Sequence, residues 1–368
     1  EGKTFSTLRA YRYFILSRAW YFTQKKEYAS ADSLYLLYYH YLVNASAQQS
    51  SSYTHLLLRK AINHYLWGQQ AEAERFITEG ITSIRQILAK NFTFLSEEQK
   101  QQYLTRFNQY YNVLFSIIRN SRNPELKKQG LNLLLMMKGL LLQSSVFSAR
   151  HTAMNTPGYP ELFNKYIALK KSILAFYEKG EAKSSKATSL EAEAAATEKE
   201  LTRLSADFVR QKFNPVNQEQ VLAALGEQEA VIEFVRYIPL NGHDSNAVYG
   251  ALVLRKGDAA PAYYHLFPES DLRKLIEKAT TSGIITDLYN SSRLYQLIWK
   301  PQKKAIERTR RLYIAPDGLL HLVSFTAVKT ENGTFLPDRH ELRMVTSSRN
   351  ILKENESEIP ANDSLSIV

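Results

Sequence analysis

Residues 310–328 read RRLYIAPDGLLHLVSFTAV. Arg311 to Ala315 is a short apolar run of the kind that forms a buried strand. Ala315-Pro316-Asp317-Gly318 reads as a type I turn, with Pro at its second position and Gly at its fourth. From Leu319 to Val328 the apolar residues return the chain to a core. A strand entering a tight turn between apolar segments belongs to a layered domain of strands and helices.

The segments upstream extend that layer. AVIEFVRY (230–237) is β-branched and aromatic, and VYGALVLRKGDAAPAYYHL (248–266) reads as strand, Lys-Gly-Asp turn, strand. Gln218 to Leu225 is a short helix closed by Gly226. Glu269 to Thr280 is helical, and Ile284 to Ile298 forms another helix, stopped near Trp299 by Pro301.

Before Asn214-Pro215 the period is different. From Thr7 to Lys179 apolar residues recur at helical spacing with almost no strand signal. Tyr28, Ala31, Tyr35 and Tyr38 match a second segment reading Gly68, Ala73, Ile77 and Gly80 when Gln70 takes the place of Tyr28; Ala31 and Ala73 then lie 42 residues apart. Each segment follows an amphipathic helix, Leu8 to Phe22 and Tyr53 to Trp67. Small residues at such points let paired helices approach while aromatics fill the groove, which is how a solenoid of helix pairs is built. A third pair follows. Ser96-Glu97-Glu98 opens a helix to about Arg119, and Asn123-Pro124-Glu125 opens the next, with Pro at the first helical position. Its LNLLLMMKGLLL is apolar on nearly every face and should be the most buried helix of this half. HTAMNTPGYP (151–160) breaks the pattern. A helix over Glu161 to Lys179, a polar loop, and a helix beginning near Leu190, with Leu190, Ala194, Leu201 and Leu204 as its apolar stripe, read as a helical hairpin or arm.

The expected organisation is therefore α + α/β: a helical array over 1–155, a helical arm over 156–212 and a mixed α/β part over 213–368. The net charge of +11 lies wholly in residues 1–205, which carry 27 Lys+Arg against 16 Asp+Glu, while 206–368 carry 20 of each. These basic residues are scattered, so solvated helix faces explain them better than a nucleic-acid surface does. The absence of cysteine fits a reducing, cytoplasmic compartment and excludes disulfides, thiolate metal sites and a cysteine nucleophile within these residues. The longest apolar run is split by Lys138, so no membrane span is expected.

No chemistry is written in these residues. His321 follows the turn and Ser324 lies three residues on, without a Gly-x-Ser-x-Gly motif. Asp317 is explained by its place in a turn. His40, His55 and His64 lack metal spacing, and neither HExxH nor a Gly-rich phosphate loop occurs. No cofactor or metal is expected.

Leu225-Gly226-Glu227, Val231 to Tyr237, Leu294-Tyr295, Ile298-Trp299-Lys300-Pro301, Leu312 to Gly318 and Phe325 occur in one order. Together they resemble the opening of a CHAT domain, the caspase-like module found after tetratricopeptide repeats in bacterial proteins. The helical half resembles such a repeat array in its longer variant. Pro316, Asp317, Gly318 and Phe325 are the positions that match the family's structural motif; Ser324 departs from it, standing where the family usually has proline. The resemblance implies a cysteine endopeptidase with a His-Cys dyad placed after Val368, so that this chain alone is inactive. It also implies a protein or peptide partner for the array, with Tyr28, Ala31, Tyr35, Gly68, Ala73 and Gly80 as its packing positions, and the remainder of the CHAT domain as the partner of the α/β part. A non-enzymatic scaffold is the alternative, and nucleic acid a weaker one.

Overall fold

The computed structural model describes residues 14–45, 47, 50–91, 97–147, 157–179, 181, 184–204, 216–240, 247–281, 283 and 285–354. Helix α1 covers 14–24. It is followed by α2 (Tyr28–Asn44), α3 (Ser51–Leu66), α4 (Gln70–Asn91), α5 (Glu97–Asn120), α6 (Pro124–Phe147), α7 (Tyr159–Glu178), α8 (Ser185–Leu204) and α9 (Gln218–Ala224). Then come β1 (Glu229–Tyr237), β2 (Val248–Arg255), β3 (Ala262–Pro268), α10 (Glu269–Thr281), α11 (Arg293–Ile298), β4 (Arg311–Ala315) and β5 (Glu341–Met344). The class is α + α/β, as the change of period at Asn214-Pro215 implies. Among the described residues no helix is long and apolar enough to cross a membrane.

Contacts divide the chain into two compact units. The first comprises Glu1–Arg122, Leu140–Pro215 and Ile238–His243; the second comprises Asn123–Gly139, Val216–Tyr237 and Asp244–Val368. In the first, α3 packs on both α2 and α4, and α7 packs on α8 as a helical hairpin. The core of the hairpin is Tyr159, Tyr166, Leu169 and Ile173 against Ala194 and Leu201. Leu190 packs beside this cluster, while the side chain of Leu204 lies outside the described residues. Both hairpin helices begin earlier than the sequence suggests. Pro160 occupies the first turn of α7 behind a left-handed Gly158, where its missing N–H costs nothing. Ser184 caps α8 by accepting from Ala187 N at 3.1 Å, which recruits the polar SKATS segment into the helix.

The second unit is built on a mixed sheet of order β3-β2-β1-β4-β5. β1 pairs antiparallel with β2 and parallel with β4; β2–β3 is the expected hairpin, and β4–β5 is parallel. Nearly every residue of β1 and β2 is buried, so these strands read as continuous apolar runs. One face carries Ala230, Ile232, Phe234, Leu312 and Ile314, packed with Phe267, Leu272, Ile298, Trp299 and Phe325. The first half of α6 belongs to this unit. Its Leu131, Leu133, Leu134, Leu135 and Met136 are all buried, which accounts for a helix apolar all round. The expected helix over Ile284–Ile298 is not continuous. A 3₁₀ turn spans Ile285–Leu288 and α11 starts only at Arg293, because Asn290-Ser291-Ser292 interrupts and Ser291 Oγ accepts from Arg293 N.

Candidate functional site

Strand β4 delivers Pro316, Asp317 and Gly318 to the C-terminal end of the parallel strands, the side on which open α/β sheets place their ligand sites. The type I turn expected here does not form. Asp317 is extended, with φ −141° and ψ 150°, and caps a 3₁₀ helix over Gly318–Leu322 through Oδ1, which accepts from Gly318 N at 2.8 Å. Its Oδ2 accepts from the backbone N–H of Arg236 on β1 at 2.8 Å. The carboxylate thus joins the ends of two strands, and that second bond draws Asp317 out of turn geometry.

Gly318 has φ +52°, and a Cβ there would lie 2.5 Å from Tyr249 Oη and 2.7 Å from Arg236 Cδ. Only glycine fits. Tyr249 Oη accepts from Leu319 N at 2.7 Å. Burial pushes the Tyr249 hydroxyl well above the usual tyrosine range, so it stays protonated. Arg236 and Arg273 both pair with Glu269. The hydrogen bond from Arg236 holds the Glu269 carboxyl below the usual range, against its partial burial.

Phe325 is buried, with ring centroids 5.8 Å from Phe234 and 6.0 Å from Trp299. Ser324 keeps a proline-like φ of −76°, but its N–H donates to Tyr289 Oη at 2.8 Å, a bond that proline could not make. Ser324 Oγ pairs with Thr326, and His321 is exposed, so nothing activates either as a nucleophile or base.

A buried polar knot lies beside this corner. Glu233 sits in the middle of β1, in register with Ala315, and is fully buried. Its Oε1 accepts from Ser348 N at 2.6 Å, Ser348 Oγ at 2.7 Å and Ser347 Oγ at 3.1 Å, while Oε2 meets Lys138 Nζ at 2.6 Å. Lys138 Nζ also donates to the Pro316 carbonyl at 3.3 Å. One carboxylate therefore ties β1 to α6, to the end of β4 and to the turn after β5. Sequence reading took Lys138 only as a break in an apolar run. The available signal was that Lys138 is the lone charge in LNLLLMMKGLLL and that Glu233 stands amid the apolar AVIEFV segment, and a charge so placed requires a partner.

In the first unit, Tyr28 is the first residue of α2 and Gln70 the first of α4. Ala31, Tyr35 and Ala73 are wholly buried. Gly80 is buried as well, and a Cβ there would meet Leu57 Cβ at 3.5 Å. Gly68 has φ +83° in the α3–α4 turn, and Lys26 has φ +63° in the α1–α2 turn, 42 residues earlier. The turn hydrogen bonds repeat at the same offset. Lys25, Lys26 and Glu27 donate to Tyr21, Thr23 and Phe22, as Trp67, Gly68 and Gln69 donate to Asn63, Tyr65 and His64. Asp32 of α2 receives Lys60 Nζ at 2.5 Å and His64 Nε2 at 3.1 Å from α3. Burial works to raise the Asp32 carboxyl, but these two partners outweigh it and hold it at about 2.

Among the described residues no group of His, Asp and Glu has the disposition to hold a metal ion. The family model described as CHAT domain matches residues 290–368. That stretch contains β4, the Pro316-Asp317-Gly318 corner, Phe325 and both serines that hold Glu233. Neither the curated proteins nor the solved structures gave a match.

Proposed function

We propose that this chain is the N-terminal region of a caspase-like CHAT cysteine endopeptidase. Residues 1–155 form a tetratricopeptide-like array that binds a protein or peptide partner, 156–212 an arm, and 213–368 the first, non-catalytic part of the peptidase domain. The observation that carries this reading is the CHAT match over the corner in which Pro316, Asp317 and Gly318 lock β4 to β1. A corner in which side-chain oxygens of Asp317 and Tyr249 accept from backbone N–H groups, at the C-terminal end of parallel strands, is a rigid platform for catalytic groups supplied by later strands. The His and Cys of the dyad lie after Val368, and residues 1–368 do no chemistry by themselves. Translation of the coding sequence beyond Val368 tests this: a strand ending in His-Gly followed by one ending in Cys supports the peptidase, and the absence of both residues rejects it.

A non-enzymatic scaffold is the second reading, favoured by the turn repeated at Lys26 and Gly68. There the array is the working surface and the CHAT region a support. Partner binding that persists in the intact protein after the dyad cysteine is replaced separates binding from catalysis under either reading.

A further inference from the structure

We propose that Arg59 of α3 is the anchor for an aspartate or glutamate side chain of an acidic protein partner. α3 lies in the middle of three helix pairs. α1 flanks it on one side, where Thr23 Oγ1 donates to Asn63 Oδ1 at 2.9 Å, and α5 packs on it from the other. Consecutive cations on this helix meet opposite fates. Lys60 turns toward α2 and is 3% exposed, and Asp32 meets its Nζ at 2.5 Å. Arg59 turns toward α1, where its guanidinium carbon lies 3.8 Å from the centre of the Trp20 ring. Among the described residues no carboxylate reaches it, and Asp32 is already shared by Lys60 and His64. The Arg59 side chain is nonetheless half-buried, and burial works against its charge. A cation drawn out of water calls for a counter-ion.

The groups around the guanidinium leave that place open for an acceptor. Arg59 Nε is spent on His55 Nε2 at 3.3 Å, while the two terminal nitrogens, the pair that grips a carboxylate side by side, have no partner among the described residues. Stacking on Trp20 fixes the plane of the fork before any ligand arrives. His55 accepts at Nε2, so its proton sits on Nδ1 as a further donor, and burial keeps the ring neutral. Tyr110 of α5 stands near enough to interact with the Arg59 charge, and burial keeps its hydroxyl protonated. One fork suits one carboxylate. A nucleic-acid strand needs a row of cations along its phosphates, and the stripe of α3 that carries Arg59 continues through Ser52, His55, Ile62 and Leu66 without a second one. The net charge of +11 borne by residues 1–205 favours the approach of an acidic segment.

This inference rests on the reading of the array as a partner-binding region and names the group which that partner must present. The probe is a fluorescein-labelled peptide of alternating aspartate and serine, amidated at its C-terminus and titrated against the intact chain by anisotropy. Arg59→Met keeps an apolar stem against Trp20, removes the fork, and should weaken binding about tenfold or more. Lys171→Gln removes one charge from an exposed site on α7 and should change binding less than about twofold. The same peptide with asparagine for aspartate should not bind. The thermal midpoint of Arg59→Met should equal or exceed that of the parent, because an uncompensated charge has been removed. Should that midpoint fall, Arg59→Lys decides: it keeps the charge without the fork, so weaker binding supports the inference and unchanged binding overturns it. A probe that does not bind, that binds Arg59→Met as tightly as the parent, or that binds equally well with asparagine overturns the inference. So does an oligouridylate that binds through Arg59 while the peptide does not. These results leave the array reading standing. That reading fails, and the inference with it, if the amide-exchange footprint of a partner on the intact protein lies wholly outside residues 1–155.

Discussion

Lys138 and Glu233, 95 residues apart in sequence, meet at 2.6 Å with the carboxylate wholly out of solvent. Such a pair contributes little net stability over an apolar one, yet losing one partner strands the other. Lys138→Met should therefore cost about 3–5 kcal/mol in urea unfolding. The double variant Lys138→Met, Glu233→Gln should cost clearly less than the two single changes summed, because they act on one contact. Strict additivity would show that the pair does not hold the corner.

Gly318 gives a sharper local test. Alanine there meets Tyr249 Oη and takes a left-handed φ, a strain of order 1–3 kcal/mol before the clash is counted. Gly318→Ala should lower the thermal midpoint and speed amide exchange at Leu319, whose N–H donates to Tyr249. Unchanged exchange would mean that the corner does not depend on this close approach.

The equivalence of the two helix-pair turns predicts opposite effects at Lys26 and Gly68. A non-glycine residue in the left-handed region costs about 1–2 kcal/mol. Lys26→Gly should stabilise the protein by about 1 kcal/mol, and Gly68→Ala should destabilise it by a similar amount. The space around Gly68 is open, so its φ alone is tested. Chemical denaturation of the two variants reads both signs.

His55 introduces a pH dependence. Its Nε2 accepts from Arg59 Nε at 3.3 Å, and burial, with the Arg59 charge, lowers the imidazole to about 4. The folded state thus binds this proton less readily than the unfolded chain. The corresponding stability, at most about 3 kcal/mol, is present above pH ~6.5 and is lost as pH falls toward 4. Thermal unfolding at pH 7 and pH 5 should show a larger drop in the parent than in His55→Gln. Equal drops would rule His55 out as the source.

Much of the second unit was legible from residue pattern. Val231 to Tyr237, the Lys-Gly-Asp hairpin and Leu312 to Ala315 carry their own apolar runs and turn residues, and the structure returns them as β1, β2–β3 and β4. The sheet order was not legible, because a parallel pairing of β1 with β4 leaves no local mark. The Glu233 knot stayed hidden for the same reason: its donors come from Lys138, Ser347 and Ser348, which only the fold brings together. The Asp317 turn was misread because its side chain answers to Arg236 N, 81 residues away. In the helical half, the small-residue match at Ala31 and Ala73 pointed to the offset of 42. The matching turn at Lys26 escaped because lysine gives no sign of a positive φ.

The most direct test of the account is covalent labelling of the intact protein with a peptidyl acyloxymethyl ketone. Such a reagent captures a cysteine whose thiol is activated, as an adjacent imidazole activates it. Labelling at one cysteine beyond Val368, abolished by replacing the histidine that precedes it and absent from residues 1–368 alone, is the predicted result. An intact protein with no such cysteine, or one whose labelling is indifferent to that histidine, would contradict the peptidase reading and leave the array as the functional part of the chain.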